Sequence, residues 1–350
     1  MERTTEKTPL SVQMRRRNKQ KVQEKAEYAG NSESMISTGS TLLDLAISGG
    51  RVRGGGIPSG VMVEVFGPSG CGKTVILCEL AGAVQRSGGE VAFNDPEARL
   101  NKQFATMFDL NTEDMNYATP NTVTEVFASI RNWKPKNVHS VNGIFTDSLA
   151  ALSTDLEMDN KDGDKMGMRR AKEFSEGFRK TCRELQSKNY LLVCSNQVRQ
   201  NHDAGLYGPK YCSPGGEAIG FYSSLRLRCG SPTKIRPEKT VAGKKIKKVI
   251  GITTQIEVFK NSVWRPYGMA PVTIIFDYGI DDIRQNLQFV KDYTSAKTYS
   301  VQGEPMAVSM DESIQLIEQN GLINVLREEV IDLWKEIDRQ FRQKRKPKRR

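Results

Sequence analysis

Only two histidines, His139 and His202, occur in the 350 residues. A zinc site of mixed histidine and cysteine ligands is therefore not expected, and neither is catalysis through a histidine base. The six cysteines (Cys71, Cys78, Cys182, Cys194, Cys212 and Cys229) form no C-x-x-C pair. Several lie in apolar runs, as reduced core thiols do. No stretch approaches the ~20 consecutive apolar residues of a membrane span, so no membrane partner is expected. Residues 1–25 are polar and contain no apolar core of a signal peptide, which points to the cytoplasm. The hydrophobic share of 37% is enough for one large core domain with small appendages.

Acidic residues are missing altogether from residues 340–350, which hold seven Lys/Arg. Residues 1–30 hold eight Lys/Arg against four Glu, so the two ends together carry the whole formal net charge of +11. The blocks responsible are Arg15-Arg16-Arg17-Asn18-Lys19-Gln20-Lys21 and residues 342–350. One-sided basic blocks suit contact with a polyanion such as nucleic acid; the alternative is solvated ends that aid solubility.

Between the tails, apolar runs and helical periodicities alternate. Strands are expected at 61–66, 90–94, 141–146 and 190–195, with helices at 74–86, 100–108, 122–133 and 166–187. In the last of these, Ala171, Phe174, Phe178, Cys182 and Leu185 recur at helical spacing. A short helix at 42–47 precedes a glycine-rich turn at 49–60, and another is expected around 12–28. Strands near 224–229, 250–259 and 272–276 lack long intervening helices and are expected to extend the sheet as hairpins. The fold class is α/β, a mostly parallel twisted sheet with helices on both faces. The expected organisation is a basic N-terminal segment (1–33), a large α/β core (34–279), a small C-terminal α/β domain (280–341) and a basic tail (342–350).

The chemistry-bearing signal is Gly67-Pro68-Ser69-Gly70-Cys71-Gly72-Lys73-Thr74, placed between an expected strand and an expected helix. Backbone N–H groups of such a loop and the positive end of the helix can cradle phosphates. Lys73 can reach β- and γ-phosphate oxygens, and the Thr74 hydroxyl can ligate Mg²⁺. Asp147, at the tip of strand 141–146, can hold the same cation's shell; otherwise it caps a helix. After strand 90–94 come Asp95 and Glu97, either of which can orient the water that attacks a γ-phosphate. Strand 190–195 runs into Asn196-Gln197, and a polar amide at that tip can touch that phosphate. The irregular stretch 198–216 is longer than compact cores usually allow unless functional or disordered. A second polar loop, 157–165, follows the Asp147 strand, and loops carrying Arg, Lys and an aromatic suit single-stranded nucleic acid, the alternative being plain surface loops.

Taken together these segments resemble the RecA family of DNA strand-exchange proteins, bacterial and phage-encoded, over roughly residues 36–300. The resemblance is carried by Ile36-Ser37-Thr38-Gly39-Ser40, the phosphate loop, Phe93-Asn94-Asp95-Pro96-Glu97-Ala98, Thr146-Asp147-Ser148-Leu149, Gly163-Asp164-Lys165-Met166-Gly167, Asn196-Gln197-Val198-Arg199 through Gly215-Gly216, and Phe221-Tyr222-Ser223-Ser224-Leu225-Arg226-Leu227.

What it implies is specific. The cofactors are ATP and Mg²⁺. Glu97 takes the role of the catalytic glutamate, Phe104 that of the aromatic stacked on adenine, and Gln197 that of the γ-phosphate sensor coupled to the second DNA loop. Arg169, Arg179, Arg199, Tyr207, Lys210, Gly215 and Gly216 are the expected DNA contacts. Lys260, in Phe259-Lys260-Asn261, corresponds to a lysine that reaches the neighbouring subunit's γ-phosphate; Ser262 stands where the family has a second lysine, and Arg265 is close by. The implied function is an ATPase that polymerises on single-stranded DNA as a helical filament and pairs it with a duplex, in recombination and repair. Implied partners are single- and double-stranded DNA, copies of the chain itself, a loader or mediator and a single-strand-binding protein. A hexameric helicase-type motor and a catalytically weakened accessory factor are the competing classes.

Overall fold

The structure is a computed structural model that describes residues 34–158, 166–200, 211–212, 217–294, 296–343 and 345. The helix expected around 12–28 and most of both basic tails lie outside these residues.

Described elements begin with β1 (Met35–Ile36), α1 (Thr41–Ser48) and β2 (Ile57–Pro58), followed by β3 (Met62–Gly67), α2 (Lys73–Arg86), β4 (Val91–Asn94) and α3 (Lys102–Thr106). Then come β5 (Met115–Ala118), α4 (Val123–Asn132), β6 (Asn142–Thr146), α5 (Asp155–Met158), α6 (Met166–Ser187) and β7 (Tyr190–Gln197). After β8 (Arg199–Gln200), β9 (Tyr211–Cys212) and α7 (Glu217–Tyr222), the chain is mainly strand: β10 (Leu225–Cys229), β11 (Thr233–Ile235), β12 (Glu238–Val241), β13 (Lys244–Lys247), β14 (Gly251–Asn261), β15 (Met269–Ile275) and β16 (Gly279–Ile280). It closes with α8 (Asp282–Tyr293), β17 (Ser300–Val301), β18 (Glu304–Pro305), α9 (Met310–Gln319) and α10 (Ile323–Gln340).

One ten-stranded sheet runs β16-β15-β14-β10-β3-β7-β6-β4-β5, with β11 also paired to β14. The six strands from β10 to β5 are parallel, and β14, β15, β16 and β11 are antiparallel. The mixed α/β architecture expected from the alternating pattern is therefore present. Residues 225–229 join β3 in parallel on one side and pair antiparallel with β14 on the other. The antiparallel extension expected of the late strands therefore starts from β10 and continues through β14 and β15. The edge strand β5 was not foreseen: Met-Asn-Tyr-Ala is short and half exposed, with no apolar run to mark it.

Side-chain alternation along the central strands divides the core in two. Val63, Val65, Val91, Phe93, Leu191 and Val193 face α1, α2 and the C-terminal helices. Met62, Ala92, Ile144, Leu192 and Cys194 face α4 and α6, where Phe127, Phe174 and Phe178 stack edge-on and in parallel. Such strands are apolar on both faces because helices cover both. The apolar residues of the C-terminal segment, among them Leu287, Val290, Leu326 and Val330, belong to the same cluster as the sheet.

Local capping explains several boundaries. Ser40 caps α1 by accepting from the Leu43 N–H, and Thr122 with Glu125 forms a reciprocal capping box on α4. Asp44 in α1 is fully buried and accepts from the Ser37 hydroxyl at 2.5 Å, the Thr38 N–H at 2.8 Å and the Thr38 hydroxyl at 2.7 Å. These bonds pin segment 37–40 beneath the helix. Burial pushes the Asp44 carboxyl up to about 7 against the opposing pull of those three bonds.

Candidate nucleotide-binding site

The parallel register places the functional strand tips on one edge. Gly67 at the end of β3 lies opposite Gln197 at the end of β7. Thr146, before Asp147, lies opposite Cys194 in β7 and Asn94 in β4. In open α/β sheets this carboxyl edge is where ligands bind. Here it opens into a cavity of about 470 Å³ whose lining includes the polar Ser69, Lys73, Thr74, Glu97, Asp147 and Gln197 and the apolar Phe104, Phe108 and Ile274.

The loop 67–74 passes straight into α2, whose N-terminal boundary residue Gly72 adopts φ 95° and offers no side-chain cap. The first-turn N–H groups thus have no side chain competing for them. A Cβ at Gly72 would lie 2.3 Å from Ile274 Cδ1, and one at Gly67 would lie 2.6 Å from the Cys229 carbonyl oxygen. Both glycines are required by close approach, the first also by its left-handed backbone. The Lys73 ammonium donates to the Gly67 and Pro68 carbonyls at 3.1 and 2.7 Å, so it is held over the loop. The buried Cys71 thiol is drawn down to about 7, first by its hydrogen bond with Cys229 and then by the Lys73 charge.

Thr74 and Asp147, 73 positions apart in the chain, meet directly: the Thr74 hydroxyl donates to Asp147 Oδ2 at 2.6 Å. Ser195 in β7 donates to the other carboxylate oxygen and fixes its orientation. A hydroxyl beside a carboxylate is a hard oxygen donor set, suited to Mg²⁺, which keeps several waters and takes few protein ligands. Consistently, no group of three His, Cys, Asp or Glu able to cage a metal occurs among the described residues. The residues present fit a magnesium nucleotide.

The structure separates the two acids after β4. Asp95 is buried, and its Oδ2 accepts from the Leu100 N–H at 2.8 Å and the Tyr117 hydroxyl at 2.9 Å. It ties the 95–100 turn to the edge strand β5. Glu97 instead faces the cavity, accepts from the Ser148 hydroxyl at 3.2 Å and pairs with Arg99 at 2.6 Å. Phe104 lines the cavity and packs edge-on against Phe108 with centroids 5.1 Å apart.

Lys260 is not brought to this cavity. It lies eight residues along β14 from Ile252, which does line it, a separation of about 26 Å at strand rise. Its ammonium donates to the Gly220 and Phe221 carbonyls, each at 2.9 Å, and burial followed by the Arg226 charge lowers its pKa. Arg265 stacks over Trp264 at 5.1 Å and pairs with Asp338 at 3.2 Å. Arg169 and Arg179 are both exposed on α6, ten residues or about 15 Å apart along its axis, so they do not form one patch. Arg199 lies in β8, paired with β9; Tyr207, Lys210, Gly215 and Gly216 lie outside the described residues.

Several residues in and around the site were not anticipated. Ser148 and Ser195 orient Glu97 and Asp147, and Arg99 pairs with Glu97; Ser148 stands in the 146–149 motif, but no role was assigned to it, and no motif marks Ser195 or Arg99. Arg170 pairs with Glu157 at 2.9 Å across the start of the first loop. Glu64, fully buried within β3, binds Arg226 at 2.6 Å and Asn196, the neighbour of Gln197, at 3.0 Å. Arg226 also lies 4.6 Å from the Phe66 ring and 5.4 Å from Phe259. A carboxylate inside the apolar run Val61-Met62-Val63-Glu64-Val65-Phe66 was the available signal.

The comparisons agree with this geometry. The family model for the RecA N-terminal domain matches residues 12–281, reaching further into the N-terminal segment than the resemblance above. The protein is 30% identical to Protein RecA of Thioalkalivibrio sulfidiphilus over 318 residues, covering 90% of this chain and 85% of that one. It is 31% identical to Protein RecA of Trichodesmium erythraeum over 312 residues, covering 88% and 79% respectively. With a family match over most of its length and a phosphate loop, acid and amide gathered on one sheet edge, the chain belongs to the RecA family.

Proposed function

We propose that this protein is a DNA-dependent ATPase and recombinase that assembles on single-stranded DNA and pairs it with a homologous duplex. The observation that carries this reading is the division of the site. Lys73, Thr74, Asp147, Glu97 and Gln197 share one cavity, while Lys260 does not line it and its ammonium is held by the Gly220 and Phe221 carbonyls. A site that uses all of them takes Lys260 from a second copy.

Bound Mg²⁺–ATP supplies the γ-phosphoryl group and the cation that neutralises it. The loop N–H groups and Lys73 bind the phosphates, and Thr74 and Asp147 hold the metal shell, with Ser195 fixing the carboxylate. Glu97, positioned by Ser148, accepts a proton from the attacking water. Phe104 offers its ring to the base. Gln197 senses the phosphate, and its strand continues directly into residues 198–216, the proposed DNA loop. Across the sheet, Asn196, Glu64 and Arg226 connect that strand tip to the Lys260 end of β14. Occupancy of the cavity thereby stabilises one filament geometry and one grip on DNA. Base pairing between the strands, rather than side chains, reads the sequence.

Electron microscopy of the purified chain with single-stranded DNA and a slowly hydrolysed ATP analogue tests the reading. Helical filaments that form only with the analogue are expected. Closed rings would assign a helicase-type motor, and scattered particles with nucleotide-independent binding an accessory factor.

A further inference from the structure

The hairpin β12–β13 buries nothing: every residue from 238 to 248 is exposed. Residues 234–248 contain seven cations (Lys234, Arg236, Lys239, Lys244, Lys245, Lys247 and Lys248) and a single acid, Glu238. The strands pair Glu238 with Lys247, Lys239 with Ile246, Thr240 with Lys245 and Val241 with Lys244. The turn Ala242-Gly243 has φ 49° and 76°, the two-residue geometry that matches strand twist.

No lysine faces another across the pair, so the charges are spread along the arm. Glu238 engages Lys245 and Lys247 on one face, at 3.0 and 3.5 Å. On the other face Lys239 and Lys244 have no acidic partner among the described residues, and they flank the exposed Val241 and Ile246. Lys245 and Lys247 project about 6.8 Å apart, twice the 3.4 Å rise per nucleotide along one duplex strand. The arm is rooted where nucleotide chemistry happens. It rises from β11, whose Lys234 pairs with the cavity-lining Ile252 of β14, and Thr254 on the same strand donates to the Cys71 carbonyl at 3.2 Å. It therefore leaves the same carboxyl edge on which β6 and β7 end.

We propose that the β12–β13 hairpin is a nucleic-acid-binding arm that grips the phosphodiester backbone of DNA through Lys239, Lys244, Lys245 and Lys247. This rests on the recombinase reading for its choice of polyanion. The contacts are to phosphates, so they add affinity without sequence preference.

The full-length protein and the quadruple variant K239A/K244A/K245A/K247A are compared for binding to single-stranded and duplex oligonucleotides, with and without ATP analogue, across a salt series. The variant is expected to lose at least about tenfold in affinity at 0.1 M salt, and the log–log salt slope to become shallower by about 2–4. The matching Lys→Arg variant should bind like the wild type, and the melting temperature of both should be unchanged, because the arm packs against no core. A loss confined to duplex, or to single strands, identifies which of the two the arm holds; either supports it. Unchanged affinity and slope in the alanine variant, while the wild type binds single strands in an ATP-dependent way, overturns the arm and leaves the recombinase reading standing. Wild-type binding that ignores ATP yet is lost in the variant overturns the recombinase reading and keeps the arm. Binding to phosphatidylserine vesicles that depends on these lysines, with DNA binding unaffected, also overturns the proposal.

Discussion

The two ends of β14 differ in what they offer. At the Gly251 end, Ile252 and Thr254 support the phosphate loop, where a hydroxyl, two carboxylates, an ammonium and an amide converge on one cavity. At the Asn261 end, Lys260 is held by backbone carbonyls beside Arg226, without a cavity of its own among those described. One end gathers the groups around the phosphate loop, and the other holds a lysine outside that cavity. The Asn196–Glu64–Arg226 contacts link the strands between them.

The most direct way to break the comparison is at the nucleotide end. Lys73→Ala should reduce ATP hydrolysis by at least about a thousandfold, with folding retained, since Lys73 bonds only to loop carbonyls and Cys71. Normal turnover in that variant would remove the loop from the chemistry. Lys260→Ala sharpens the contrast: DNA-stimulated hydrolysis should fall by about 10²–10³-fold, while nucleotide affinity measured on dilute, DNA-free protein stays the same. Equal loss of both would place Lys260 in its own chain's site. Glu97→Gln should slow hydrolysis by about 10²-fold without weakening nucleotide binding, measured by single turnover and by titration; Asp95→Asn should instead lower thermal stability, because its bonds to Leu100 and Tyr117 are structural.

The link between the ends is probed by Glu64→Ala, which leaves Arg226 without its buried partner and should cost about 3 kcal/mol in denaturant unfolding. The smallest effect concerns pH. Asp44 has a folded pKa of about 7 against an ordinary value of 3.8, so the folded state holds the proton more tightly. Its contribution is complete below pH 4 and is lost as pH rises through 7. Asp44→Asn should flatten the melting temperature between those limits, and an unaltered profile there would contradict the assignment.

Legibility in the sequence followed locality. The phosphate loop and the Ala171-to-Leu185 stripe lie within a few turns of chain, so their spacing alone locates them. Spacing alone could not tell the acids after β4 apart, though the family resemblance singled out Glu97, because the partner that occupies Asp95 is Tyr117 on an edge strand with no apolar signature. The arm at 238–247 escaped notice because residues between the tails sum to zero charge. A neutral total conceals a local excess, and a window of ten residues would have found it.

By itself, then, the sequence determined the α/β class, the phosphate-binding loop and the identities of the acids and amide around it, since these depend on period, turn geometry and neighbouring residues. Only the tertiary structure decided which carboxylate faces the cavity, that Thr74 touches Asp147 across 73 residues, and that Lys260 stays outside that cavity, held by the Gly220 and Phe221 carbonyls. Those are matters of strand register, and register is fixed by the packing of both sheet faces at once rather than by any segment on its own.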